Sequence, residues 1–235
     1  MNRMRDIKAL LLCGGKGERL RPMTEKIPKP LVKIRERPIL DYMLQHFQAQ
    51  GIDKFVIAAG YKSEVIKTYV EKNLKHLEVE VIDNGDVSII ERIKRGMQLI
   101  KGDFILAYGD TLADVDIQEL RKFHYSNPEQ LTITSYQLRI PFGLMRTSKI
   151  GEVLSFREKP LLEEVMNIGY YYFSKNHFES ILEHNDLVEY LQDKIRKNEL
   201  KSFLHQGSHI TVNTIKELDE AEKNIEYFIK RIEAY

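Results

Sequence analysis

Directly after an apolar run, Cys13-Gly14-Gly15-Lys16-Gly17-Glu18-Arg19-Leu20 places three glycines within four positions, beside two cations. Glycines let backbone N–H groups approach an oxyanion closely. The cationic stretch continues through Arg21, Lys26 and Lys29 against only Glu18 and Glu25, and Pro22, Pro28 and Pro30 stiffen it. An excess of positive charge on a stiff loop suits a triphosphate, whose charge must be neutralised while its geometry is fixed. The competing reading is a solvated charged loop. Two common phosphate loops do not fit: a dinucleotide fingerprint needs glycine or alanine where Leu20 stands, and a Walker A loop needs Gly-Lys in place of Arg19-Leu20.

Asp110 ends the apolar run Phe104–Tyr108, where a carboxylate is either a turn residue or a ligand for a hard cation. Asp114-Val115-Asp116 has the DxD spacing that a glycosyltransferase would use for a metal, but Asp116 before Ile117 reads as a helix N-cap. His205 and His209 flank Gly207 in a β or turn context, which argues against a zinc pair. Cys13 has no histidine near it in sequence and reads as packing rather than as a nucleophile.

The elements that must position these residues alternate, from Ile7 to Asp110, between short apolar runs and amphipathic stretches, as βα units on a parallel sheet do. Strands are predicted at 7–12, 54–59, 78–82 and 104–108. Helices are predicted from Pro38, in the first turn, to a stop at Gly51, over 62–73, and after Ser88 and Glu91 at capping-box spacing. Ligands bind such sheets at the carboxyl ends of the strands, so loops 13–37, 83–88 and 109–114 should converge. Beyond residue 117 the reading is β-rich at 131–139, 152–157 and 166–173, helical near 175–197, β again near 200–213, and helical over 215–233. The closing helix carries an apolar stripe of Leu218, Ala221, Ile225, Phe228, Ile229 and Ile232, for packing on the domain or on a partner subunit. Tyr170-Tyr171-Tyr172-Phe173 should put core on one strand face and a pocket floor on the other.

The chain has 235 residues, 43% hydrophobic and 30% charged, which excludes collagen-like, mucin-like and largely disordered classes. A chain this long buries roughly 72% of its unfolded surface and needs no structural metal or disulfide. Its net charge of +1 gives no bulk attraction to nucleic acid or membrane. A single cysteine, a start without a long apolar core and apolar runs far short of about 20 residues predict a cytoplasmic protein. With no repeat or linker, 1–235 reads as one domain, with halves 1–116 and 117–235.

Gly14-Gly15-x-Gly17-x-Arg19-Leu20 followed by Pro28-Lys29-Pro30-Leu31-Val32 resembles the signature of the sugar-1-phosphate nucleotidyltransferases. Tyr108-Gly109-Asp110, Phe142-Gly143, Phe156-Arg157-Glu158-Lys159-Pro160 and Asn167-Ile168-Gly169-Tyr170 extend the likeness across the chain in the expected order. The resemblance implies an α/β fold: a Rossmann-like, mainly parallel sheet flanked by helices, with a nucleotide-binding first half and a β-rich, sugar-binding second half. It also implies a chemistry in which a sugar-1-phosphate oxygen attacks the α-phosphorus of a nucleoside triphosphate and expels pyrophosphate. Gly14, Gly15 and Gly17 would then shape the triphosphate loop, Arg19 grip the β- and γ-phosphates, and Lys29 sit on the α-phosphate. Lys159 would hold the sugar phosphate, with Gly143, Glu158, Asn167 and Gly169 around the sugar.

Asp110 becomes the expected Mg2+ ligand. Many members carry a second aspartate near the C-terminus; Asn213 stands there in this chain, similar to the N-acetylglucosamine-1-phosphate uridylyltransferases, unless it merely caps the last helix. Asp83-Asn84-Gly85-Asp86-Val87-Ser88 with Arg92-Ile93-Lys94-Arg95 resembles glucose-1-phosphate cytidylyltransferases, so a carbonyl near Gly85 or the Asp86 carboxylate would accept from a cytosine amine. Ile89-Ile90-Glu91 departs from that group's glycine- and threonine-rich pattern and leaves guanylyl transfer as the alternative. The product, an NDP-sugar, would serve polysaccharide biosynthesis, and a homo-oligomer is compatible with the family. A nucleotide- or sugar-phosphate-sensing regulator would have no need of the whole set Arg19, Lys29, Asp110 and Lys159.

Overall fold

The computed structural model describes residues 6–235; Met1–Arg5, part of the start read against a secretory signal, lies outside the described residues. In chain order, β1 (Lys8–Cys13) leads through three short 3-10 turns to the small hairpin β2 (Lys33–Ile34) and β3 (Arg37–Pro38). Then come α1 (Ile39–Ala49), β4 (Lys54–Ala59), α2 (Ser63–Asn73), β5 (Glu78–Asp83), α3 (Ile89–Met97), β6 (Phe104–Tyr108), β7 (Thr111–Ala113) and α4 (Ile117–Tyr125). The second half comprises β8 (Leu131–Arg139), β9 (Leu144–Thr147), β10 (Val153–Arg157), β11 (Leu161–Phe173), α5 (Phe178–Leu182), α6 (Leu187–Arg196), β12 (Leu200–His205), β13 (His209–Thr211) and α7 (Ile215–Ile232).

Seven strands form one sheet in the order β12-β8-β11-β6-β1-β4-β5. Its neighbours are parallel except where β11 runs against both β6 and β8. The central strands are buried on both faces, which is why β1, β4 and β6 read as continuous apolar runs rather than alternating ones. One face packs Leu11, Ile57 and Tyr170 under Phe47 of α1, Ile66 of α2 and Phe228 of α7. The other packs Leu10, Val56 and Tyr171 under Ile93 of α3, Ile181 of α5 and Tyr190 of α6.

Two expectations change in detail, and a third, left between two alternatives, takes the first of them. Pro38 precedes α1 as its N-cap rather than sitting in the first turn, because its extended ψ of 147° belongs to the β2–β3 hairpin. The α7 stripe packs on its own domain, against α1, β2 and β13. Tyr170 to Phe173 are all buried, since α5 and α6 cover the face expected to floor a pocket; only the Tyr171 hydroxyl reaches toward the polar rim. Among the described residues no helix is long and apolar enough to cross a membrane.

Candidate active site

Loops 13–37, 83–88 and 109–114 converge at the carboxyl ends of β1, β4, β5 and β6. They enclose a cleft of about 650 Å³ lined by Gly14 to Arg19, Lys29, Asp86, Ile89, Arg92, Asp110 and Asn213. A contiguous cavity of about 160 Å³ shares Gly14, Gly15, Lys29, Arg92 and Asp110 and reaches back to Tyr108 and Gly109. Of the loop glycines, Gly17 alone has a positive φ, +62°, and a Cβ there would stand 3.0 Å from Thr24 and 3.2 Å from the Cβ of Lys29. The turn is pinned by Thr24 Oγ1 and Leu20 N, which both donate to the Gly17 carbonyl. Gly17 therefore lets the lysine stem lie against the glycine loop.

Lys29 opens a short turn between Pro28 and Pro30, and its side chain is buried. Its Nζ donates to Asp110 Oδ2 at 2.6 Å and to Asn213 Oδ1 at 2.7 Å. The two oxygens meet because β13 pairs antiparallel with β7, Thr211 opposite Thr111, which carries Asn213 alongside Asp110. Val212 N donates to the Asp110 carbonyl at 3.4 Å and extends that ladder. Asn213 is not the cap of α7: Thr214 takes that role through Glu217 N, leaving the Asn213 amide free to face Lys29.

Asp114 and Asp116 do not act as a DxD pair. Asp116 caps α4 by accepting from Glu119 N. Asp114 is buried against His205, Arg231 and Ser208 N; burial alone would raise its carboxyl, but hydrogen bonds from these three donors hold it below the usual range. The glycosyltransferase reading loses its motif. His205 is committed to Asp114 and the Ser208 carbonyl, and the His209 ring lies tilted against Tyr136, centroids 5.0 Å apart. Burial pushes the Cys13 thiol up to about 12, which leaves it un-ionised and unreactive at neutral pH.

Lys16, expected only as part of the cationic loop, and Arg92, expected only within the cytidylyltransferase-like segment, also shape the cleft. Arg92, on the inner face of α3, donates to the carbonyls of Ala59, Gly85 and Val87 and so ties β4 to the 83–88 loop. Its signal in the sequence is a cation beside the buried Ile90, Ile93 and Met97 stripe, where a solvated arginine does not belong. Lys16 pairs with Asp86 at 2.8 Å across the mouth of the cleft, with side chains 49% and 83% exposed, so water screens the pair. The hydrogen bond from Lys16 holds the Asp86 carboxyl below its ordinary value. Gly85 has φ +64°, which suits a glycine in that turn.

The second-half residues lie along an adjoining rim. Gly169, φ +76°, abuts Tyr108, and a Cβ there would be 2.5 Å from the Tyr108 ring. Asn167 Oδ1 accepts from Gly169 N, and its Nδ2 donates to Tyr171 Oη, which lies 3.4 Å from Tyr108 Oη. Gly143 faces Phe156 and Glu158, since a Cβ there would be 2.5 Å from Phe156 and 3.1 Å from Glu158 Oε2. Glu158 and Lys159 are exposed on the turn after β10, Lys159 at φ +42°, and they do not line the glycine-loop cleft. Asn167 and Gly169 thus reach the smaller contiguous cavity through Tyr108, while Gly143, Glu158 and Lys159 lie outside both.

The nucleotidyl transferase family profile matches residues 8–218. The glucose-1-phosphate cytidylyltransferase of Salmonella typhimurium is 30% identical, over 90% of this chain and 93% of its own length. The D-glycero-α-D-manno-heptose 1-phosphate guanylyltransferase of Campylobacter jejuni is 26% identical, over 88% of this chain and 94% of its own. The crystal structure of HddC from Yersinia pseudotuberculosis superposes with a TM-score of 0.70 at 23% identity, over 93% of this chain and 99% of that one. With the glycine loop, Lys29 and Asp110 gathered at the switch of its mainly parallel sheet, the chain belongs to the sugar-1-phosphate nucleotidyltransferase family.

Proposed function

We propose that this chain transfers a cytidylyl group from CTP to a sugar-1-phosphate, with Mg2+ bound at Asp110 and Asn213. The observation that carries this reading is the convergence of one lysine ammonium, one carboxylate and one amide oxygen beside a glycine loop. The two oxygens fit Mg2+, a hard cation that takes few protein ligands and completes its shell with phosphate oxygens and water. When bound there, the metal would offset charge on the α-phosphate as the substituting oxygen arrives.

The chain's own residues divide the remaining work. The Gly14–Gly17 loop and Arg19 hold the β- and γ-phosphates, so that pyrophosphate departs along a fixed line. Lys29, anchored beside Gly17, brings its ammonium to the α-phosphate. Lys159 holds the sugar phosphate, one of whose oxygens forms the new bond to the α-phosphorus while the bond to the β-phosphate oxygen breaks. No general base is needed, because the attacking phosphate is already anionic. Gly143, Glu158, Asn167 and Gly169 receive the sugar, and catalysis consists of positioning and charge stabilisation.

Cytosine is read at Gly85 and Asp86, whose oxygens can accept from its exocyclic amine. Uracil and thymine present a carbonyl there and would leave the acceptor without a donor. Both oxygens already receive one hydrogen bond, from Arg92 and Lys16, and each keeps a further lone pair for the base. Guanylyl transfer is the second reading, favoured by the similarity to the Campylobacter jejuni enzyme and by Ile89-Ile90-Glu91 at the start of α3. A pyrophosphate-release matrix of four nucleoside triphosphates against a panel of sugar-1-phosphates tests both. Fastest release with CTP supports the first reading and fastest release with GTP the second; no release with any pair would return the chain to the regulator class.

A further inference from the structure

Lys29 stands in a place that the proposed chemistry assigns twice. Its ammonium lies 2.6 Å from Asp110 Oδ2 and 2.7 Å from Asn213 Oδ1, the oxygens read above as metal ligands. Mg2+ binds such oxygens at about 2.0–2.1 Å. A divalent ion and an ammonium, each facing the same two oxygens at these distances, would crowd two like charges into one small volume. The Lys29 side chain is 10% exposed and that of Asp110 34%, so water screens little of that repulsion. The lysine and the metal therefore compete for Asp110 and Asn213.

The side chain is built to yield. Its stem rests beside Gly17, where a Cβ would be 3.2 Å from the Lys29 Cβ and 3.6 Å from its Cδ, so the lysine is anchored at the glycine loop and only its end spans the cleft. Lys29 also lines both the glycine-loop cleft and the deeper cavity beside Asp110. Rotation about its last bonds carries the ammonium from the two oxygens toward a triphosphate in the loop. Lys16 and Asp86 make a second pair across the cleft, but its exposure keeps water around both charges. The metal oxygens are blocked by Lys29 alone of the two lysines.

We propose that Lys29 serves as an internal cation that keeps Asp110 and Asn213 closed to a divalent metal until a triphosphate draws the ammonium away, so that nucleotide and metal enter as a unit. This rests on the reading of Asp110 and Asn213 as the metal site. The consequence is an ordered site: metal alone binds weakly, and a neutral residue at position 29 makes the same oxygens available without nucleotide.

The test needs no turnover. Binding of Mn2+ alone is measured from the electron paramagnetic resonance signal of the free ion, in the wild-type chain and in Lys29→Met, Lys29→Gln, Lys29→Arg and Lys29→Met/Asp110→Asn. We expect Lys29→Met and Lys29→Gln to bind Mn2+ at least about tenfold more tightly than wild type, Lys29→Arg to stay weak, and the double variant to lose the gain. In the wild-type chain, 15N NMR of the lysine ammonium groups gives a second readout that requires no substitution. The Lys29 signal should hold its position with Mg2+ alone and move on addition of metal-free inorganic tripolyphosphate. Equal Mn2+ affinity in wild type and the neutral variants overturns the gate while leaving the metal site standing. Binding retained in the double variant overturns it by placing the ion elsewhere, and no binding in any form, with or without tripolyphosphate, overturns the gate and the metal reading together.

Discussion

Gly14 and Arg92 share one volume: a Cβ on Gly14 would stand 1.9 Å from Nη1 of Arg92. The first glycine of the loop thus makes room for a guanidinium. That guanidinium in turn carries the 83–88 loop through the carbonyls of Gly85 and Val87. The glycine loop and the loop expected to meet the base are mechanically one part.

Gly14→Ala should therefore act at a distance. By displacing Arg92 it should raise the Michaelis constant for the nucleotide by roughly 10–100-fold, while the constant for the sugar phosphate changes little. Arg92→Met should do the same and lower stability by about 2–4 kcal/mol, because three carbonyls lose a charged donor. Steady-state kinetics and urea unfolding check both. An unchanged nucleotide constant in either variant would refute the coupling.

Asp110→Asn should reduce turnover by at least about 100-fold at saturating Mg2+. The substitution keeps the shape of the side chain and, among the described residues, removes the one anion paired with Lys29. Near-normal turnover in single-turnover assays would sink the assignment.

The amphipathic first half was legible because β1, β4 and β6, buried on both faces, alternate with helices of 3.6-residue period. The convergence of the glycine loop and Asp110 followed from that topology alone. What could not be read was the reversal at β11, since its apolar segment Tyr170–Phe173 has the composition of a parallel core strand whichever way it runs. The β7–β13 ladder was equally hidden, because strands of three residues carry no periodicity. It is that ladder which distinguishes Asn213 as a side chain facing Asp110 from Asn213 as a helix cap. The sequence carries Arg92 only within a family-like segment, because its three carbonyl partners on β4 and the 83–88 loop come together only in the fold.

Arg19→Ala and Lys159→Ala should divide the two substrates. Arg19 lines the glycine-loop cleft and Lys159 sits on the turn after β10, outside that cleft. Loss of a charge-assisted contact costs about 1.5–3 kcal/mol, or roughly 10–150-fold. The Arg19 variant should show this in the nucleotide constant and the Lys159 variant in the sugar-phosphate constant. A reversed pattern would show that the two roles are exchanged.

Asn213→Asp should retain activity and lower the Mg2+ concentration for half-maximal rate, because it replaces a neutral oxygen ligand by an anionic one. Asn213→Ala should raise that concentration. A Mg2+ titration unchanged in the alanine variant would reduce Asn213 to a partner of Lys29.

The protein should be acid-labile well above the carboxylate range. Burial pushes His46, His124, His177 and His209 down to about 4. His177, on the turn after β11, lowers His124 of α4 further, and the Nε2 atoms of both rings have no hydrogen-bond partner among the described residues. An unfolded histidine titrates near about 6.5, so between those values the unfolded chain binds more protons than the folded one. The stability these neutral rings contribute is present in full above about pH 6.5 and is lost progressively as pH falls toward 4. Asp114 loses its contribution only below the usual carboxylate range, because its folded carboxyl is depressed; its window lies beneath that of the histidines. Urea unfolding midpoints should consequently fall steeply between pH 6.5 and 4.5, with an uptake of several protons on unfolding. His124→Asn, which keeps a polar group opposite Thr132 Oγ1, should make the slope shallower by about one proton. A stability profile flat across that range would show that these rings are not held neutral by the fold.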